Sequence, residues 1–149
     1  MTVQIVLSQK GENDPMTITA EATAENIEAI TEFVNRELEA RECPYREQMQ
    51  ICVAIDEIVS NIARYAYTPD KGNVTVNFAY EEQDRTVVLT FTDEGIPYDP
   101  LQREDPDVSL PAEKRKIGGL GIYLVRKTMD RLSYRRENGK NILTVRKKI

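Results

Sequence analysis

Three short constellations hold residue types able to bind or transfer charged groups. Glu57 and Asn61 stand four residues apart, so on a helix they lie one above the other on one face. Their stripe is otherwise aliphatic, with Ala54, Ile58 and Ile62. A carboxylate and an amide facing inward are costly unless something pairs with them, and a metal or a substrate hydroxyl would do so. A solvated pair at the helix edge is the plain alternative. The second constellation is Asp93-Glu94-Gly95-Ile96-Pro97, where a strand gives way to a turn. Asp93 shares parity with Val87, Leu89 and Phe91, which continues the line of a buried face to the strand's end. A carboxylate there can accept a hydrogen bond from an amino group held in an apolar slot, or it can simply cap the turn. The third is Gly118-Gly119-Leu120-Gly121 at a helix start, preceded by the basic run Lys114-Arg115-Lys116. Glycines let backbone N–H groups approach a phosphate closely, and a helix N-terminus adds a favourable dipole. Loop hinging and an ordinary solvated charge run are the plainer readings of those two features.

The elements that must position these residues follow from hydrophobic periodicity. Val3 to Ser8 and Met16 to Ala20 read as a hairpin around the turn cluster Gly11 to Pro15. Ile27, Ile30, Phe33, Val34 and Leu38 recur at helical spacing and predict a first helix over Ala24 to Ala40. Beyond Pro44, the positions Met49, Ile51, Ile55, Ile58, Val59, Ile62 and Ala66 predict a second, reaching about Tyr67. Val74 to Tyr80 and Val87 to Phe91 alternate as two adjacent antiparallel strands. Asp99 to Lys116 has no period and reads as a long loop of the kind that serves as a lid. A third helix opens at the glycine cluster, with Ile122, Val125, Met129 and Leu132 as its apolar positions. Strands near Ser133 to Glu137 and Ile142 to Lys148 flank the turn Asn138-Gly139. The order β-β-α-α-β-β-α-β-β, with strands that alternate, predicts a two-layer α/β sandwich. Its mixed, mostly antiparallel sheet has one solvated face, and three helices cover the other.

With 149 residues, 40% hydrophobic and 30% charged, the chain suits one domain with its own core. A net charge of −5 removes the electrostatic footprint of phosphate-backbone binding, so no direct nucleic-acid partner is expected. The absence of histidine excludes a Ser-His-Asp triad, a His-ligated zinc site and a phospho-accepting histidine on this chain. Two cysteines, Cys43 and Cys52, are too few for a disulfide framework. No apolar run approaches the ~18 residues of a membrane helix, and no leader pattern opens the chain. These features point to a cytoplasmic, unprocessed protein.

The order and placement of the three constellations resemble those of a nucleotide-binding family. Glu57-Ile-Val-Ser-Asn61 looks like the N-box, Asp93-Glu-Gly95 like the first glycine box and Gly119-Leu-Gly121 like the second, of the histidine kinase-like ATPases that share the Bergerat fold. The run from Gly119 to Asp130 and the short chain resemble most closely the anti-sigma factor serine/threonine kinases. The resemblance implies ATP and Mg²⁺ as ligands, with Asn61 ligating the metal and Asp93 accepting a hydrogen bond from the adenine amino group. It implies that Gly95 lets the base approach, and that Gly119 and Gly121 offer backbone N–H groups to the phosphates. Lys116, Leu120 and Thr144 would complete the nucleotide site, and Glu57 matches the general base that accepts a serine proton. The implied partners are a sigma factor and an anti-sigma-factor antagonist of the STAS type, bound by a homodimer. A non-catalytic nucleotide-binding interaction module of the same fold is the alternative. Three departures bear on the site. Tyr65 stands where relatives commonly carry histidine, Pro97 replaces the last glycine of the first glycine box, and Lys140-Asn141 replaces a Gly-Thr pair before the final strand.

Overall fold

The computed structural model describes residues 3–6, 16–67, 70–102, 109 and 120–149. Strands β1 (Val3–Val6), β2 (Met16–Glu21), β3 (Asn73–Glu81), β4 (Thr86–Asp93), β5 (Arg131–Glu137) and β6 (Lys140–Lys148) form one sheet in the order β1-β2-β3-β4-β6-β5. Helices α1 (Ala24–Ala40), α2 (Tyr45–Asn61) and α3 (Leu120–Thr128) make the second layer. The two-layer architecture expected from the alternating strands is the one observed. Its sheet is antiparallel at every described pairing rather than mixed. Short turns join β3 to β4 and β5 to β6, the two-helix excursion joins β2 to β3, and each returns the chain antiparallel.

The inner face is set by parity. Ile18, Val74, Val76, Phe78, Val87, Leu89, Phe91, Leu143 and Val145 are buried against Ile30, Val34, Leu38, Ile51, Ile55, Ile58 and Val125 of the helices, in a single cluster. Each fully buried aliphatic or aromatic side chain contributes about 1.5–3 kcal/mol, which is enough to lock strand register, because a one-residue slip would expose the whole set. The outer face carries half-buried threonines instead. Thr17 donates to Asn77 Oδ1 at 2.9 Å, and the Thr19 and Thr75 hydroxyls pair at 3.0 Å. Asn138 and Gly139, at φ 52° and 77°, form the left-handed pair that a two-residue hairpin between β5 and β6 requires.

Two local departures from simple periodicity matter for the site. The second helical pattern does not run to Tyr67 as one α-helix. It is α-helical to Asn61 and then widens into a π turn over Ile62–Ala66. The third helix stops at Thr128, so Leu132 belongs to β5 and not to the helix. There Asp130 turns the chain onto the sheet, its N–H bonding Arg146 O at 2.9 Å and its carboxylate accepting from Lys148 N at 2.6 Å. Among the described residues, no helix is long and apolar enough to cross a membrane.

Candidate nucleotide site

Asp93 ends β4 on the inner face, in a cross-sheet row that runs Ala20, Val74, Asp93, Asn141 and Arg136. The row passes from apolar to polar where the helical layer leaves the sheet. Asp93 is only 4% exposed, and its Oδ1 accepts from Gly95 N and from Asn141 Nδ2, both at 2.9 Å. Burial pushes its carboxyl above the usual carboxylate range, opposed by the Asn141 and Gly95 hydrogen bonds and by the Arg136 charge. Oδ2 takes no hydrogen bond from the described residues. A buried carboxylate with one oxygen anchored and the other open is an acceptor waiting for a donor.

Asn141 is likewise 4% exposed and is fully engaged. Its amide also donates to Ile96 O at 2.8 Å, while its Oδ1 accepts from Tyr98 N at 3.2 Å and from the Tyr134 hydroxyl at 2.5 Å. Arg136 Nη1 bonds Gly95 O at 2.8 Å. The turn at residues 94–98 is thus held to β5 and β6 by side chains, which takes over what a final glycine in place of Pro97 would otherwise shape.

The same turn is held to the helical layer by the π turn. The Ile96 N–H donates to Ala66 O at 3.0 Å, and a Cβ built on Gly95 would fall 2.5 Å from that oxygen and 2.6 Å from Ala66 Cβ. Glycine is needed at position 95 for this approach of two backbones. The resemblance implied that it lets a base approach; in the structure the space a Cβ would take at Gly95 is filled by Ala66. The extra residue in the π turn is what brings Ala66 O outward to meet it, in keeping with the tendency of such turns to gather at functional sites. Tyr67 adds a brace: its hydroxyl donates to Asn73 O and accepts from Glu94 N, each at 2.8 Å.

A small cavity of about 20 Å³ lies between the layers, lined by Ile58, Asn61, Ile62, Phe91, Asp93, Tyr98, Pro100, Ile122, Tyr134, Asn141 and Leu143. Asn61, from the last residue of α2, and Asp93 therefore share one cavity, with Ile122 of α3 between the two ends. That volume holds a single water. A purine enters only when a wall yields, and Tyr98, on neither a helix nor a strand, with Pro100, at the start of a single 3-10 turn (Pro100–Gln102), forms the wall outside the main elements. The Tyr98 ring stacks on Tyr65 at 4.9 Å and 22°. Tyr65 thereby packs against Tyr98, which lines the cavity.

Glu57, half-buried on α2, meets the first turn of α3. A Cβ on Gly121 would lie 1.8 Å from Glu57 Oε2, so the absence of a side chain at 121 lets the carboxylate sit against the helix start. The N–H groups of that first turn have no intrahelical acceptors, and Leu120 opens the helix. Gly118, Gly119 and Lys116, with most of the expected lid, lie outside the described residues. Thr144 does not join the site. It pairs with Thr90 and Ser133 on the outer face, since it differs in parity from the inward Asn141, Leu143 and Val145. Asn141 stands in its place. Sequence reasoning passed over Tyr134 and Tyr98 and marked Asn141 only as a departure without a role, yet Asn141 carried a signal: a polar residue in phase with Leu143 and Val145.

The open Oδ2 at the Asp93 end is the acceptor an adenine amino group would need. No group of three His, Cys, Asp or Glu side chains that could hold a metal occurs among the described residues. A divalent ion here would rest on Asn61 Oδ1 together with phosphate oxygens and water, the arrangement Mg²⁺ prefers.

The profile of the histidine kinase-like ATPase domain matches residues 20–147. The chain is 32% identical over 100 residues to the serine/threonine-protein kinase BtrW of Bordetella bronchiseptica, covering 67% of this chain and 70% of that protein. It is 33% identical over 95 residues to the serine-protein kinase RsbW of Bacillus cereus, covering 61% of this chain and 58% of that one, so it spans little more than half the length of this relative. A crystal structure of the RsbU and RsbW domains of a Mycobacterium tuberculosis protein superposes with a TM-score of 0.61 at 18% identity, over 91% of this chain and 32% of the other. The shared fold, the motif order and a match across nearly the whole chain agree: this chain belongs to the histidine kinase-like ATPase family, alongside serine-protein kinases of the RsbW and BtrW type.

Proposed function

We propose that this chain is an ATP-dependent protein kinase that transfers the γ-phosphoryl group to a serine of a partner protein and, through that exchange, controls a sigma factor. The observation that carries the reading is the buried Asp93, with one oxygen anchored and the other open, in a cavity that also holds Asn61. Asp93 Oδ2 accepts from the adenine amino group, which fixes the base. The free N–H groups at the start of α3, with Gly121 in its first turn and Gly119 and Lys116 before it, hold the phosphates. Asn61 is the residue that would hold Mg²⁺, which supplies charge neutralisation on the phosphate oxygens when bound.

Glu57 accepts the serine proton as the hydroxyl oxygen bonds to the γ-phosphorus and the bond from that phosphorus to the bridging oxygen breaks, releasing ADP. Most of the acceleration in such a transfer comes from positioning and charge stabilisation. The packing of Gly121 against Glu57 ties the proton acceptor to the same helix start that faces the phosphates. The receiving protein is an anti-sigma-factor antagonist of the STAS type, and the working unit is a homodimer in the cytoplasm.

Two measurements test this. Titration with Mg-ATP should raise the apparent melting temperature, increasing with the logarithm of free ligand once that exceeds Kd. Labelled ATP mixed with an antagonist protein should then yield phosphoserine. No stabilisation at millimolar Mg-ATP sinks the nucleotide site; stabilisation with no labelled product leaves a nucleotide-binding interaction module.

A further inference from the structure

We propose that Asn141 is a positioning residue that holds the Asp93 carboxylate in one orientation and thereby makes the base pocket discriminate 6-amino from 6-oxo purines. The inference rests on the nucleotide-binding reading above and deepens it. Asn141 and Asp93 are cross-strand partners at the inner edge of the sheet, and both are almost fully buried. Asn141 Nδ2 donates to Asp93 Oδ1 and Ile96 O, and its Oδ1 receives the Tyr134 hydroxyl and the Tyr98 N–H. Gly95 N–H is committed to the same Asp93 oxygen.

Every donor touching the carboxylate is therefore spent, and each points at Oδ1 or away from Asp93. What remains unbonded on Asp93, which lines the cavity, is one acceptor, Oδ2. A 6-amino purine offers that oxygen an N–H. A 6-oxo purine sets a second acceptor against it, while the two donors already on the carboxylate, from Gly95 and Asn141, are held on Oδ1. A threonine at position 141 would carry one hydroxyl proton and could not bridge Asp93, Ile96 and the Tyr134 hydroxyl at once. The amide is the side chain that can, because it has two donors on one atom and an acceptor on the other.

Without Asn141 the carboxyl keeps only the Gly95 anchor. It can then turn about its last torsion, and it takes up a proton more readily, because one of the hydrogen bonds that offset its burial is gone. A protonated carboxyl can donate to a 6-oxo group, and a rotated one no longer holds its acceptor in a fixed place, so discrimination narrows.

The test is isothermal titration of the whole chain with Mg-ATP and Mg-ITP, in the wild type, Asn141→Leu and Tyr134→Phe. Asn141→Leu keeps the side chain's shape and removes its polar atoms. Tyr134→Phe removes one hydroxyl from a half-exposed ring and leaves the fold intact. The ATP-to-ITP affinity ratio should fall about tenfold in Asn141→Leu, the cost of about one hydrogen bond to a charged group, and about threefold in Tyr134→Phe. A packing role would lower the melting temperature and leave this ratio where it was. An unchanged ratio in Asn141→Leu overturns the proposal; should that variant fail to fold, an unchanged ratio in Tyr134→Phe overturns it. A wild type that binds neither nucleotide instead sinks the nucleotide reading itself.

Discussion

The two halves of the candidate site, the Asp93 end of the cavity and the contact of Glu57 with α3, are built in different ways. The end at Asp93 is held by the sheet, with three strands, a turn and the π turn joined by hydrogen bonds between 2.5 and 3.2 Å. At Glu57, among the described residues, the contact is one of packing, one helix face against the bare first turn of another. A sheet edge with cross-linked side chains suits recognition, where a fixed acceptor is matched to a fixed donor. A carboxylate at the far end of a flexible side chain suits proton transfer, where the group must adjust as a partner's hydroxyl arrives. Binding energy should reside at one end and turnover at the other.

That division can be broken most sharply at the helical end. Glu57→Gln should lower phosphotransfer to the partner by about 10²–10⁴, the usual range for a lost general base, while calorimetric ATP affinity stays within about threefold. Comparable loss in both would erase the division. Asp93→Asn reverses the pattern. Removing the charged acceptor and turning an N–H₂ toward the base should weaken ATP binding by about 10- to 100-fold, read by the same titration.

The two glycines sharpen the comparison, because the atom each would strike differs. At Gly95 the obstacle is the Ala66 carbonyl, part of a hydrogen-bonded backbone that cannot retreat. Gly95→Ala should destabilise the protein by about 1–3 kcal/mol in denaturant unfolding. At Gly121 the obstacle is the tip of Glu57, which can swing away. Gly121→Ala should leave the unfolding midpoint nearly unchanged and still reduce phosphotransfer by about tenfold through the displaced carboxylate. Equal stability losses at the two glycines would mean that the helical end is as rigid as the sheet end.

The smallest expected effect is on pH dependence. Burial raises the Asp93 carboxyl above its ordinary value of 3.8. In the window between that value and the raised one, the folded chain binds more protons than the unfolded chain. Its contribution to stability is present below the ordinary value and is lost as pH rises through the raised one. Melting curves of the nucleotide-free wild type and Asp93→Asn should therefore diverge as pH climbs through the weakly acidic range, the wild type losing stability relative to the variant. Parallel curves would mean that Asn141, Gly95 and Arg136 fully offset the burial.

Much of this frame was readable from the chain. The limits of α1 and the alternation of β3 and β4 follow from periods of 3.6 and 2, and the Asn138-Gly139 turn from its need for two positive φ angles. Asp93 was placed inward by parity alone. Parity could equally have separated Asn141 from Thr144, but the familiar threonine of the resemblance drew attention to the wrong face. The π turn left no periodic trace, because one added residue is lost within the scatter of a helical pattern. Leu132 followed the helical spacing by coincidence, and a strand pairing through Asp130 overrode it.

Residue order was enough to settle which side chains line the inner face, where helices begin, and that Glu57 and Asn61 share a helix and Asp93 ends a strand. These are properties of local geometry, repeated every few residues and written into the pattern of apolar positions. The pairing of Asp93 with Asn141 across 48 residues, the contact of Gly121 with Glu57, and the approach of Gly95 to Ala66 came only from the assembled molecule. Each depends on the distance between elements far apart in the chain. That distance is set by how densely the whole core packs, and no local stretch of residues encodes it.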